Sequence, residues 1–412
     1  MADRVSSSQR RYVFGLAATI NFFVFAAAMA ALPVLFDEIA AELGLNIVEI
    51  GAVWGLTSAV GVASIIAGGI LSVRFGSRRV LALVCLGAGS CGASRGRSGR
   101  LGGLIATSLL FGMFAEAVPA VVIKSASQWF HDRGLGAAQG FLTACVGGGM
   151  MFGAMISATA LSPWLGGWRN VLYLYAGISF ALGIIWYLTV PDVHGTPAAS
   201  PAVKPSFWES FSRVMRCRNV WLIGVAMMGF AGSNKGLMGY LPLFLRDKGW
   251  TNVRADASLA VYNAAGTAAS VPLTLMSDRL GKRKTILVPA LVISALGIGL
   301  LGFTNGAPFW LVIVVTGAFR DMIWAMAATM TVESDGIGPG YAGTAIGIVH
   351  AFTRFGYTYA PAAGNAMTAW GPGIPFLFWA GLCAVGLVFF WLAKETGRGR
   401  QTPPRPDALT GS

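Results

Sequence analysis

Charge is what this sequence has least of. Only 11% of its 412 residues are Asp, Glu, Lys or Arg, against about 25% in an average soluble domain. So few charges could not cover the surface of a soluble protein this long, which excludes that class. The five cysteines, Cys85, Cys91, Cys145, Cys217 and Cys383, are scattered, and four lie in apolar runs. With no CxxC and no paired spacing, neither a disulfide framework nor a metal site is indicated. No Walker A loop occurs, so ATP is not the driver. One stretch, Gly92-Ala93-Ser94-Arg95-Gly96, matches a nucleophile-elbow pattern. It ends an apolar run with no strand before it, and no nucleophile–base pair accompanies it. An enzyme is therefore disfavoured, and no cofactor is expected. The net charge of +13 does not imply nucleic acid, because the basic residues flank apolar runs instead of forming a face on a soluble fold.

What is present is apolar sequence, 55% of the chain. A membrane-crossing helix needs about 20 apolar residues. Twelve such runs are predicted, at about 12–36, 47–72, 80–94, 102–124, 135–160, 169–190, 219–245, 257–277, 284–303, 309–333, 341–364 and 372–393. The first is too long for a signal-peptide core of about 7–15 residues, so it reads as an uncleaved span. Between the sixth and seventh runs lies 191–218, with Pro197, Pro201, Pro205, Lys204, Arg213, Arg216 and Arg218. That is the composition of a linker with a basic, amphipathic end. The expected organisation is a bundle of six spans at 1–190, the linker at 191–218, a second bundle at 219–393 and a tail at 394–412.

Basic residues set the orientation. With both termini and the linker in the cytoplasm, twenty of the 30 Lys and Arg fall on the inner side and seven on the outer. Three of those seven, Arg95, Arg97 and Arg100, crowd one outer loop against the trend. The remaining three, Lys235, Arg320 and Arg354, lie within spans. An inner (plasma) membrane location is expected.

The chain repeats itself. Arg74-Phe75-Gly76-Ser77-Arg78-Arg79 follows the second run, and Arg279-Leu280-Gly281-Lys282-Arg283-Lys284 follows the eighth, 205 residues later. Gly140 and Gly347 keep nearly that offset, as do Tyr175-Ala176-Gly177 and Trp379-Ala380-Gly381. Two halves of like direction are implied, related by an axis along the membrane normal, with any solute site near the midplane between them. The expected fold is an all-α polytopic membrane protein, two pseudo-symmetric bundles of six helices. Three GxxxG pairs, Gly51–Gly55, Gly149–Gly153 and Gly343–Gly347, are expected to let the halves approach closely.

The loop after the second run resembles the major facilitator signature Gly-x-x-x-Asp-Arg-x-Gly-Arg-Arg. Here it reads Gly69-Ile70-Leu71-Ser72-Val73-Arg74-Phe75-Gly76-Ser77-Arg78-Arg79, with Val73 at the acid position. The second copy keeps the acid as Asp278. Leu165-Gly166-Gly167-Trp168-Arg169 also resembles this superfamily. The resemblance covers 12–393 and implies alternating access, with Arg74, Gly76, Arg78, Asp278, Arg279, Gly281 and Arg283 as gating-loop residues. Its flavour is similar to bacterial porters of nitrate, cyanate and monocarboxylate or oxalate. The arginines expected of nitrate porters in spans two and eight are missing, whereas Arg354 matches the basic residue in span eleven of oxalate-type porters. Drug–proton antiporters usually carry a Gly-Pro step in span five. Gly149-Met150-Met151-Phe152-Gly153-Ala154 has none.

Ionisable residues inside a bilayer are costly and read as functional. The run 309–333 carries two side by side, Arg320 and Asp321. Glu116, Lys235 and Arg354 are also mid-span, and His350 lies one turn before Arg354 on the same face. Glu116 and Asp321 are 205 residues apart and so pseudo-equivalent. Three cations against two acids favour a small organic anion as substrate, since a guanidinium pairs well with a carboxylate. The competing reading is a set of internal salt bridges that hold the halves together. Expected substrate contacts are Arg320, Arg354, Lys235, Asn21, Asn234 and Trp324. Expected proton carriers are Asp321 first, then Glu116 and His350. Arg320 and Asp321, about 100° apart on a helix, are expected to face different partners, Asp321 toward Lys235 and Arg320 toward the cavity. Glu116, with no basic neighbour in its own span, is expected to serve structure more than coupling. A proton-coupled symporter working as a monomer is the leading expectation, in contact with lipid and not with nucleic acid. The rivals are a proton-driven exporter of drugs or metabolites and a sensor on the same scaffold. A sensor would be expected to carry an appended soluble domain.

Overall fold

The computed structural model describes residues 7–129, 135–191, 207–280, 283–337 and 341–396. Among these, regular structure is entirely helical. Each of the twelve apolar runs coincides with a long helix: α1 (7–43), α2 (47–75), α3 (Ser77–Gly96), α4 (101–129), α5 (135–165), α6 (Trp168–Thr189), α7 (Arg218–Asp247), α8 (Asn252–Leu280), α9 (Arg283–Leu301), α10 (Gly306–Val332), α11 (Ala342–Ala366) and α12 (Ile374–Leu392). Nine of them are long and apolar enough to cross a membrane on composition alone. The exceptions are α3, α7 and α11. Two of those carry Lys235 and Arg354, so the charges that lower their hydropathy are the same charges that mark them as functional. A short amphipathic helix, Phe207–Met215, precedes α7. Most of the linker and the C-terminal tail lie outside the described residues.

Local chemistry explains the joints. Gly44 ends α1 in the left-handed conformation, at φ 65°, which costs glycine least. Asn46 then caps α2. Its Oδ1 accepts from the backbone N–H of Val48 (2.9 Å) and Glu49 (3.0 Å), and the Glu49 carboxylate accepts the Asn46 N–H at 2.8 Å. This reciprocal arrangement satisfies N–H groups that a helix start leaves open. Gly76, at φ 84°, turns α2 into α3. Helix α1 contains a π-helical stretch, Asn21–Ala27. Helix α4 breaks at Glu116–Ala117, just before Pro119, which cannot donate to the preceding turn.

Two helix pairs carry most of the contact between the halves: α2 with α11, and α5 with α8. Under the repeat, α2 corresponds to α8 and α5 to α11, so the two contacts are one contact used twice. Lipid gives helices no hydrophobic reason to associate, and close approach through small residues takes that role. At Gly51 a Cβ would stand 2.8 Å from Asn365 Nδ2, and at Gly55 it would collide with the Thr358 carbonyl. Asn365 Nδ2 also donates to the Ile47 carbonyl at 2.8 Å. The other two glycine pairs behave differently from expectation. Gly149 and Gly153 seat α5 on Phe22 and Ala27 of α1, within one half, whereas a Cβ at Gly343 or Gly347 would meet nothing within 4 Å.

That contrast reports the shape. The interface helices are buried on both sides at one end, around residues 50–58 and 255–266. At the other end, Ile66, Ile70, Phe141, Val271 and Leu275 are exposed. The halves therefore touch at one end and diverge toward the end bearing the α2–α3 loop. Replacing Gly55 with leucine should force α2 from α11 and disfavour this closed end. In a cysteine-free background, a disulfide between Ile47→Cys and Asn365→Cys should form readily and drop several-fold on adding Gly55→Leu. An unchanged yield would show that this contact does not hold the end shut.

One arginine of the crowded outer loop, and Arg169 beside it, have a structural account. Arg95 is buried, its guanidinium 3.6 Å from the Phe111 ring centroid. Arg169 caps the end of α3 through the carbonyls of Gly96 (2.6 Å) and Ser98 (2.9 Å) and binds Glu42 at 2.9 Å. Two of the guanidiniums in this region therefore serve internal contacts.

Candidate functional site

The mid-span charges gather where the halves meet. Arg354 of α11 crosses to Glu116 of α4, with Nη1 2.5 Å from Oε1 and Nη2 2.8 Å from Oε2. It is a bidentate bridge between the halves, at most 12% exposed on either side chain. The break in α4 presents Glu116, and Gly61 makes the crossing possible: a Cβ there would stand 2.8 Å from the guanidinium carbon. Glu116 has no basic neighbour in its own span, as the sequence implied, but it is not without one in space. Its partner comes from the other half of the chain.

A second pair lies in α10. Arg320 binds its neighbour Asp321, Nε to Oδ1 at 2.8 Å and Nη2 to Oδ2 at 3.2 Å. Its Nη1 donates to Asn263 Oδ1 of α8 at 2.5 Å. This overturns the expected division in which Asp321 turned to Lys235. The long arginine side chain folds back across the 100° step, and Asn263 fixes its far edge. Gly266 leaves room for the carboxylate, since a Cβ there would meet Asp321 Oδ2 at 3.0 Å.

Lys235 of α7 is the cation left over. Its side chain is buried, with the ammonium 3.2 Å from the Trp54 ring centroid and 5.5 Å from that of Tyr357. Among the described residues it has neither a hydrogen bond nor an ion pair through that ammonium. Trp54 is itself fixed by donating its Nε1–H to the Lys235 carbonyl at 2.8 Å. A cation over an indole face gains about 2 kcal/mol when desolvated, far less than removal from water costs it.

An aromatic wall completes the site. Trp324 stacks on His350 with centroids 6.4 Å apart and tilts against Tyr357 at 6.1 Å. Tyr357 is also 5.5 Å from the Arg354 guanidinium. Asn234 is engaged: its Oδ1 accepts from the Tyr262 hydroxyl, and its amide donates to the Phe230 carbonyl at 3.0 Å. Asn21 stands apart, donating to the Leu142 carbonyl at 3.3 Å within the first half. Of the expected site residues, Arg320, Asp321, Lys235, Arg354, Glu116, His350 and Trp324 thus come together, Asn234 braces them, and Asn21 does not join. Sequence reasoning missed Trp54, Gly61 and Tyr262. Nothing in a lone tryptophan or glycine within an apolar run sets it apart.

At the loops, Arg78 donates from Nε to the Tyr187 carbonyl at 2.9 Å, closing the end of α6. Arg283, its counterpart, binds Glu333 at 2.9 Å. Arg74 lies over the Phe75 ring at 5.4 Å. The side chains of Asp278 and Arg279, and Gly281 altogether, lie outside the described residues.

A family model for the Major Facilitator Superfamily matches residues 15–269 and again 255–411. An uncharacterized protein of Archaeoglobus fulgidus is 24% identical over 226 residues, 55% of this chain and 100% of that one. The MFS-type transporter pytF of Aspergillus terreus is 28% identical over 184 residues, 43% of this chain and 58% of that one. Among solved structures, the nucleoside transporter NupG is similar at a TM-score of 0.77 and 16% identity, over 93% of this chain and 100% of that one. A bacterial homolog of the human lysosomal transporter Spinster, inward-facing and unoccupied, is similar at 0.72 and 15% identity, over 94% and 96%. At these identities the structural likeness is one of fold.

Proposed function

The chain belongs to the Major Facilitator Superfamily and is a secondary transporter in a membrane, not an enzyme, and we propose that it carries a small organic anion together with a proton. One observation supports the anion above the rest: Lys235 is buried between the halves with no ion pair of its own among the described residues, while both other mid-span cations have one. A buried charge without a counterion is strongly unfavourable, and a substrate carboxylate at Lys235 removes that penalty. The aromatic surfaces of Trp54, Tyr357 and Trp324 suit an apolar or planar body beside the carboxylate. One uncompensated cation matches one negative charge, so monoanions are the preferred class.

We assign the coupling role to Glu116 in preference to Asp321. Asp321 and its partner share one helix, and rocking the halves leaves that pair intact. Glu116 and Arg354 belong to opposite halves. Protonating Glu116 frees Arg354 to take the second oxygen of a carboxylate held at Lys235. Proton and anion then favour each other's binding, which is the linkage a symporter needs. His350, stacked on Trp324, is the next candidate. The transporter works as a monomer.

We further propose an inner-membrane location with both termini and the linker cytoplasmic, so that the divergent end faces inward. Cysteine variants at Ser6 and Ala199, both outside the described residues, should resist an impermeant thiol reagent on intact cells and react after permeabilisation. Strong labelling of both from outside would reverse the orientation. The substrate class is tested by thermal stability against monocarboxylates, dicarboxylates, cations and neutral solutes. Stabilisation by cations or neutral solutes alone would sink the anion reading.

A further inference from the structure

Away from the midplane, the start of α7 and the end of α12 enclose a cavity of about 220 Å3 that takes no part in the central site. A water's share of liquid volume is about 30 Å3, so this space admits a group several waters in size. Arg216, Arg218 and Lys394 supply its positive charge, and Asp335 and Glu395 its negative. The acids are engaged. Glu395 accepts the backbone N–H of Arg283 (2.8 Å) and Lys284 (3.0 Å) at the start of α9, and Asp335 lies 3.7 Å from the Lys394 ammonium. Arg216 and Arg218 are at least partly exposed, and their guanidiniums have no hydrogen bond or ion pair among the described residues.

The setting points to lipid. The cavity sits where α7 begins and α12 ends, the depth at which spans leave hydrocarbon. Leu222 and Leu392 also line it. Trp208, Trp221 and Trp391, on the adjoining stretches of chain, are 73%, 37% and 65% exposed, and tryptophan concentrates at headgroup depth. Trp221 ties the amphipathic helix to α7 by donating to the Met215 carbonyl at 2.9 Å. Basic pockets between spans are suited to anionic headgroups.

We propose that this cavity binds the phosphate of an anionic phospholipid, with Arg216 and Arg218 on the phosphate oxygens and the acyl chains along Leu222 and Leu392. Native mass spectrometry of the full-length protein tests it, with phosphatidylglycerol and phosphatidylcholine offered together. The parent should retain phosphatidylglycerol preferentially, and Arg216→Gln/Arg218→Gln should lower its retention about tenfold or more. Thr396→Trp, which crowds the cavity and leaves both arginines, should lower it as well. Arg254→Gln, beyond the other end of the span, should not. Undiminished retention in the double variant overturns the proposal, as does a loss of equal size in Arg254→Gln. Retention unaffected by Thr396→Trp overturns it too, because the arginines would then attract lipid without the cavity. Millimolar inorganic phosphate should fail to displace the lipid. Ready displacement would assign the site to free phosphate and overturn the lipid assignment.

Discussion

Lys235→Met is expected to weaken anion binding by about 30-fold or more while leaving the unliganded protein at least as stable as the parent. Removing one member of a desolvated charge pair costs about 2–5 kcal/mol of binding, and each 1.4 kcal/mol is about tenfold. The stability half of the prediction separates a binding role from a structural one. With no substrate present, the ammonium is a buried cation whose described contacts are aromatic faces. Methionine has similar length, packs on an indole and carries no charge, and replacing buried ions with apolar groups of like volume is often neutral or stabilising. Melting of the purified protein reads both halves. A monocarboxylate at 100 times the parent's dissociation constant should add about 2.7 kcal/mol to the parent and, at the same concentration, about 0.9 kcal/mol or less to the variant. A variant that melts well below the parent without ligand, or keeps the full ligand shift, would show that Lys235 is not the anion's partner.

How much of this was legible beforehand depended on the kind of signal. The twelve spans were, because a span is a composition and a length, and α3 was hardest because Gly and Ser dilute its apolar content. The two-fold relation was legible from the paired loops at Arg74 and Arg279. The candidate site was legible as a set of residues, since a charge in an apolar run is conspicuous wherever it points. Its pairing was not. Glu116 and Arg354 are 238 residues apart and meet through a break in α4 and a gap at Gly61, features of tertiary geometry. Asp321 was assigned to Lys235 on helical angle alone, and that reasoning neglected the reach of arginine and the brace at Asn263. Trp54 was invisible for the opposite reason: an aromatic residue in an apolar run is ordinary until something charged is found on its face.

Glu116→Gln is expected to retain exchange of labelled anion across liposomes and to lose accumulation driven by a pH gradient. Glutamine mimics the protonated acid at every pH, so Arg354 is always free to meet the substrate. Anion affinity should then lose its dependence on pH, and a pH gradient, worth up to about tenfold in concentration ratio for each unit by the same 1.4 kcal/mol conversion, has nothing left to act upon. The variant should also be less stable without substrate, by as much as about 3–5 kcal/mol, because Arg354 is left buried and unpaired. An added monocarboxylate should restore it by more than it stabilises the parent. Asp321→Asn supplies the contrast. Asp321 is paired with Arg320 of its own helix, so its loss should weaken the protein and leave pH-driven accumulation in place. If Glu116→Gln still concentrates anion against its gradient while Asp321→Asn does not, coupling belongs to the α10 pair. The bridge between the halves would then be a latch that closes without regard to the proton.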